Sequence, residues 1–145
     1  MHASEEHFRK LERMYNTAPI NDYFKPVLRV SEGRAEVTLT IRPDFFHAAH
    51  ALHGSVYFKA LDDASFFAAS SAVRDVFIVT VSFNVVLLRA VTGGVITASG
   101  RLVHKSRNLL AAEAELVDEN QKLLARGNGT FMRSTTALSA EIGYK

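Results

Sequence analysis

The chain has 145 residues, a formal net charge of +2 and no cysteine. This length suits one domain with its own apolar core, and we expect a single domain over residues 1–145. The absence of cysteine excludes a disulfide framework, a thiolate metal site and a cysteine nucleophile. The nearly balanced charge gives no indication of a nucleic-acid partner. A charged N-terminus and short apolar runs predict neither a secretory signal nor a membrane span, so we expect a cytoplasmic protein.

The first half of the chain predicts a helix, two strands and a second helix. Apolar residues recur at helical spacing over about residues 4–16. Two strands follow, around residues 27–30 and over residues 35–42, with a turn at Gly33. Residues 55–71 then form a helix that is apolar on nearly every face, so we expect it to be covered on all sides.

Four long strands are predicted after this helix, over residues 76–89, 95–104, 109–117 and 123–131. Short turns between them favour antiparallel hairpins. An α+β fold follows, in which a curved antiparallel sheet wraps around one long buried helix. A cone-like α+β barrel is less favoured, because several amphipathic helices would then precede the strands. The core would cover about residues 27–132, and the polar residues after Arg133 predict a loose C-terminal tail.

Two adjacent carboxylates, Asp62 and Asp63, lie in the middle of the apolar helix. Aspartate is rarely buried without a partner. Lys59 lies one turn earlier and pairs more naturally with Asp63, which is four residues on. Successive helical residues point about 100° apart, so Asp62 faces a different direction. Either a structural ion pair or a general base with a raised pKa is compatible with Asp62.

The same helix opens with His53, Gly54 and Ser55. Free backbone N–H groups at a helix N-terminus can polarise a carbonyl, and glycine permits a close approach to the backbone. An ordinary helix start, with Ser55 as the N-cap, is the alternative. His47, His50 and His53 do not share one helix face and have no HExxH pattern, so we expect no metal site.

These residues carry a family resemblance. Leu52–Ala64 resembles the helix-opening motif of hotdog-fold acyl-CoA thioesterases of the PaaI type, in which six residues separate His-Gly-Gly from a catalytic Asp or Glu. Ser55 stands where the family usually has its second glycine. Element order extends the resemblance over about residues 27–132, and three later segments are similar to the family's strands: Val81–Val85, Gly100–Arg107 and Ala125–Phe131.

The resemblance implies hydrolysis of an acyl-CoA thioester to a carboxylic acid and CoA. It places the carboxylate that acts as general base or nucleophile at Asp62, and the amide that polarises the carbonyl at Gly54. It also implies a site role for His53 at the helix start. His47 corresponds to a residue that orients the nucleophilic water, and Thr80 to one that helps to hold it.

Further positions are implied substrate contacts: Ser55, Asn84, Lys105 and Arg107. Lys105 and Arg107, with Arg89 a weaker candidate, could meet the CoA phosphates as cations. The alternative, which explains these residues equally well, is that they are ordinary charged side chains exposed to solvent in hairpin turns. No cofactor is expected, since CoA is part of the substrate.

The spacing of Gly54 and Asp62 predicts self-association. The two residues lie about 12 Å apart along one helix, so one thioester carbonyl does not easily reach both in the same chain. A homodimer with antiparallel buried helices, or a dimer of such dimers, supplies them from two chains. Two alternatives stay open: a hotdog dehydratase or hydratase that uses His53 with the carboxylate, and a non-catalytic acyl-CoA-binding protein.

Overall fold

The computed structural model describes residues 3–145, which contain three α-helices and six strands. In chain order these are α1 (Ala3–Thr17), α2 (Pro19–Phe24), β1 (Val27–Ser31), β2 (Arg34–Thr40), α3 (Gly54–Ser70), β3 (Val76–Leu87), β4 (Val95–Lys105), β5 (Leu109–Val117) and β6 (Leu123–Ala137). Short 3₁₀ turns occur at Pro43–Phe45 and Ala140–Ile142. None of the helices in residues 3–145 has the length and apolar character needed to cross a membrane.

The six strands form one antiparallel sheet in the order β1-β2-β4-β5-β6-β3. Within the described residues β3 pairs with β6 alone, so β3 forms one edge of the sheet. The long helix α3 packs across the sheet and contacts all six strands. Its backbone lies so close to β4 that a side chain at Gly100 would collide with the backbone of Ala64. The expected α+β architecture, a sheet around one long helix, is confirmed.

The burial of α3 differs from the prediction on one side. Residues such as Ala60, Leu61 and Ala64 are almost completely buried. Phe58 is 40% exposed, and Asp62 is only partly buried. The expectation that the helix is covered on every face is therefore wrong for a single chain, because one sheet and one helix leave a side of α3 open.

The C-terminal residues do not form the loose tail that their polarity predicts. β6 continues to Ala137, which pairs with Val76 at the start of β3. The chain then folds back on α1, where the hydroxyl of Tyr144 lies 2.7 Å from Nδ1 of His7. A second difference is α2, a short helix that the sequence analysis did not predict, which has Pro19 in its first turn.

Candidate active site

Asp62 and Thr80 meet where α3 faces β3. Thr80 Oγ1 donates a hydrogen bond of 3.0 Å to Asp62 Oδ1. A bulge at Val81 interrupts the pairing of β3 with β6 just after Thr80. Bulges of this kind redirect side chains next to them. The structure therefore brings together two of the residues that the sequence predicted for the site.

The carboxyl group of Asp62 is a weaker acid than that of an ordinary aspartate. Burial and the neighbouring charge of Asp63 together raise the pKa of its carboxyl to about 6, although the hydrogen bond from Thr80 and the charge of Lys59 lower it. A carboxylate with a pKa near 6 is mostly ionised at neutral pH, yet it accepts protons better than an ordinary aspartate. Asp62 can therefore accept a proton from a bound water molecule.

Asp63 has a structural role. Lys59 Nζ donates to Asp63 Oδ2 at 2.9 Å, and the hydroxyl of Tyr15 donates to the same oxygen at 2.6 Å. Burial, together with the charge of Asp63, raises the pKa of Tyr15, so this hydroxyl stays protonated and remains a donor. The predicted pair of Lys59 and Asp63 is confirmed, and Asp62 lies outside it.

A cleft of about 820 Å³ opens beside Asp62. This volume lies within the range of roughly 300–1,000 Å³ that is typical of small-molecule sites. Asp62 and Thr80 contribute polar atoms to a lining that includes many apolar side chains: Met14, Ile20, Phe66, Phe67, Phe77 and Ile142. The cleft therefore suits a ligand with an apolar group attached to a polar reacting centre.

The start of α3 is held by His53 rather than by Ser55. Nδ1 of His53 accepts a hydrogen bond of 3.0 Å from the backbone N–H of Ser55, so the imidazole is the N-cap. The hydroxyl of Ser55 lies 2.8 Å from the same nitrogen. The N–H of Gly54 belongs to the first turn, where amides have no acceptor within the helix. This N–H and the helix dipole can stabilise negative charge on an oxygen atom.

A second, smaller cleft of about 320 Å³ lies at this helix start, and its lining includes His47, Gly54, Tyr57 and Arg89. The hydroxyl of Tyr57 donates to the carbonyl of Arg89 at 2.7 Å and fixes the backbone there. Nδ1 of His47 accepts a hydrogen bond of 3.1 Å from the backbone N–H of Ala49. His47 therefore lies with Gly54 and not beside Asp62 in the same chain.

Lys105 and Arg107 lie at the opposite end of α3 from Gly54. Lys105 Nζ donates to the carbonyl of Ala72, just beyond the C-terminal end of the helix, at 2.8 Å. Arg107 is exposed in the turn between β4 and β5. Within one chain, neither cation shares a cleft with Gly54 or Asp62.

Asn84 lies on the face of the sheet that points away from α3. The ring of Phe83 stacks edge-on against Phe58 of α3, so Phe83 faces the helix. Side chains alternate along a strand, and Asn84 therefore faces outward, opposite Asn128 of β6. The structure does not bring Asn84 near Asp62 of the same chain.

Sequence reasoning missed part of the wall of the larger cleft. α1, α2 and the segment after β6 line it together with Asp62. The polar residues after Arg133 gave little indication of this contact. The apolar residues Leu138 and Ile142, which lie four positions apart, are the signal that could have revealed it.

Comparison with known proteins connects this geometry to a family. The sequence profile of the thioesterase superfamily matches residues 49–125. A protein of Sulfurisphaera tokodaii that is provisionally named an esterase is 29% identical over 104 residues, which cover 71% of this chain and 77% of that protein. A protein of Saccharolobus solfataricus with a similar provisional name is 24% identical over 139 residues, or 96% of each chain.

Solved structures agree with this result. The PaaI protein from the phenylacetic acid degradation operon of E. coli superposes with a TM-score of 0.85 at 21% identity, covering 95% of this chain and 100% of that one. A conserved protein of Pseudomonas aeruginosa superposes with a TM-score of 0.75 at 26% identity, covering 92% and 100%. The expected hotdog fold is confirmed. Because the sequence profile matches more than half of its residues, this chain belongs to the thioesterase superfamily.

Proposed function

We propose that the protein is a homodimeric acyl-CoA thioesterase that releases a carboxylic acid and CoA. The observation that carries this proposal is Asp62, a partly buried carboxylate with a pKa of about 6 at a largely apolar cleft. The neighbouring Asp63 is neutralised by Lys59 and is not available for chemistry. Membership of the thioesterase superfamily supports the reaction class.

In the proposed mechanism, Asp62 activates water. Thr80 holds Oδ1, which leaves Oδ2 to accept a proton as the water oxygen attacks the thioester carbonyl carbon. The C–S bond then breaks, the electron pair leaves with sulfur, and the proton on Asp62 passes to the CoA thiolate. Alternatively, Asp62 attacks the carbonyl itself, and water hydrolyses the resulting anhydride. Both routes require ionised Asp62.

We assign the carbonyl-polarising amide to Gly54 of a second copy of the chain. Gly54 and Asp62 line separate clefts and lie about 12 Å apart along α3. Edge strand β3 supports pairing between copies, because it is 12 residues long and carries exposed valines, with Val81 at 56% and Val86 at 50% exposure. A long apolar edge is uncommon in a monomer. Antiparallel pairing would bring Gly54 of one chain toward Asp62 of the other at two equivalent sites.

Arg89 is a further candidate for contact with the CoA phosphates. Arg89 lines the cleft that contains Gly54. Lys105 donates to a backbone carbonyl at the other end of α3. We therefore add Arg89, from the same chain as Gly54, to Lys105 and Arg107 as a cation that could meet a CoA phosphate. An Arg89→Met variant would raise KM for acyl-CoA more than KM for the shorter acyl-pantetheine, which lacks the nucleotide.

Release of CoA thiol from a panel of acyl-CoAs tests the reaction. The protein has no cysteine and so adds no thiol background. Asp62→Asn should lose about 10²–10⁴-fold in kcat, and Asp63→Asn is the matched control at the adjacent position. Loss of activity only in Asp63→Asn would contradict the assignment of Asp62. A wild-type protein that releases no thiol would contradict the reaction, and enoyl-CoA hydration and acyl-CoA binding would then test the two alternatives.

Subunit complementation tests the shared site. Gly54→Pro removes the amide proton, and proline suits this first helical position because His53 before it is extended, at φ −65° and ψ 142°. Gly54→Ala keeps the amide, and its added Cβ would lie 3.4 Å from a methyl group of Leu87, an ordinary contact. Gly54→Pro should therefore lose far more activity than Gly54→Ala.

The complementation itself uses two inactive variants, Asp62→Asn and Gly54→Pro. A mixed dimer contains one site with both native groups, so co-expression should restore about a quarter of wild-type activity. If both groups act within one chain, the mixture stays inactive and the shared site is wrong.

A further inference from the structure

We propose that residues 138–145, the C-terminal strap, limit the length of the acyl group, and that Ile142 is the residue at which the limit is set. This inference rests on the proposed thioester hydrolysis at Asp62. It names the substrate class as an apolar acyl chain, because much of the cleft beside Asp62 is apolar.

The strap is a compact turn seated on α1. The backbone N–H groups of Ile142 and Tyr144 donate to the carbonyl of Ser139 at 3.2 Å and 3.0 Å. Gly143 adopts a φ of 90°, in the region that favours glycine. A side chain at Gly143 would collide with Thr17, so the strap backbone lies directly against the last turn of α1. The strap is therefore packed and not merely adjacent to the helix.

Tyr144 anchors the end of the strap. Its hydroxyl lies 2.7 Å from Nδ1 of His7, and Nε2 of His7 lies 2.9 Å from the carbonyl oxygen of Ser70. A carbonyl oxygen only accepts, so Nε2 carries the proton and the Tyr144 hydroxyl donates to Nδ1. Lys10 lies over the Tyr144 ring, 5.3 Å from its centre. The other end of the strap continues from β6, so a segment fixed at both ends forms a defined wall.

This wall belongs to the same cleft as the reacting carboxylate. Ala140, Ile142 and Gly143 line it together with Asp62 and Thr80. Ile142 also packs against the main apolar core. An acyl chain whose carbonyl carbon lies at Asp62 fills the rest of the cleft, and its length is limited where the chain meets Ile142. A smaller residue at this position would admit longer chains, and a larger residue would admit only shorter ones.

The test compares kcat/KM for butanoyl-, octanoyl- and dodecanoyl-CoA in Ile142→Ala and Ile142→Phe. The ratio of dodecanoyl to octanoyl should rise about tenfold in Ile142→Ala and fall about tenfold in Ile142→Phe. Val27→Ala, an aliphatic truncation on β1 outside this cleft, is the control and should leave the ratio unchanged. Should Ile142→Ala not fold, Ile142→Val removes a single methyl group and is expected to shift the ratio in the same direction.

Binding measurements separate this inference from the proposed function. S-alkyl-CoA thioethers of the same lengths are not hydrolysed, and calorimetry reports their affinities. If the wild-type protein hydrolyses acyl-CoA but the ratio stays within twofold in the variants at Ile142, the strap inference is wrong and the proposed function stands. If no acyl-CoA is hydrolysed but thioether affinities shift with residue 142 as described, the strap inference stands and the proposed function is wrong.

Discussion

Lowering the pH from 8 to 5 should reduce kcat/KM about tenfold. Asp62 must be ionised in either route of hydrolysis, and burial raises its pKa to about 6. At pH 5 about a tenth of the molecules then carry the carboxylate, whereas at pH 8 nearly all of them do. A carboxyl group with the ordinary pKa of 3.8 would lose less than about a tenth of its activity over the same interval.

Thr80→Val tests the origin of this pH dependence. The hydrogen bond from Thr80 lowers the pKa of Asp62, so its removal should move the acid limb of the profile to higher pH. Valine retains the branched shape of threonine. The assay is thiol release from one acyl-CoA between pH 4.5 and 9 at constant ionic strength, with the rate without enzyme subtracted. A wild-type limb centred below pH 5, or a limb that moves to lower pH in Thr80→Val, would refute the reasoning.

Three more predictions concern stability and assembly. Asp62→Asn should raise the free energy of unfolding at pH 8 by about 1–3 kcal/mol, a range that allows for the partial exposure of Asp62. The raised pKa means that the folded protein favours protonated Asp62, so the wild-type protein loses stability as the pH rises through about 6. The gain in the variant, measured by calorimetry, should therefore shrink toward pH 4. Asp63→Asn should lower stability by about 1–3 kcal/mol in urea unfolding, because Lys59 stays largely buried without its carboxylate; a stability equal to that of wild type would count against this role. Val81→Lys should raise the dimer dissociation constant at least about tenfold by sedimentation, since it places a charge on the β3 edge, whereas Val27→Lys on the other edge strand should not.

The sequence was sufficient for most of the elements and for one ion pair, but not for α2 or for the last residues of β6. The four late strands follow from alternation and polar turns, and the pairing of Lys59 with Asp63 follows from helical spacing. The face of Asn84 could not be predicted in this way. Without a bulge, Asn84 would share the face of Thr80, four residues earlier, but the extra residue at Val81 reverses the alternation beyond it. No glycine or proline in the sequence marks that bulge.

The contact between α1 and the C-terminal strap could not be predicted from local sequence patterns either. His7 and Tyr144 are 137 positions apart, and each is a single residue in a polar segment. Periodicity identifies elements from their own residues, whereas this contact depends on where β6 ends relative to α1. The cleft beside Asp62 depends on the same arrangement, so its full wall could not be predicted from the sequence.

The position of β3 in the sheet determines when this site can form during synthesis. β3 leaves the ribosome before β4 and β5, yet its partner is β6, which is made after the other five strands of the described sheet. Until Leu123–Ala137 has emerged, the nascent chain carries a valine-rich strand with both edges open, and such strands promote association of unfinished chains. Thr80 lies on that strand, so the hydrogen bond to Asp62 depends on β3 being held in the sheet. Messages truncated before the codon for Leu123, which lack all of β6, should therefore yield insoluble chains and not partly active ones.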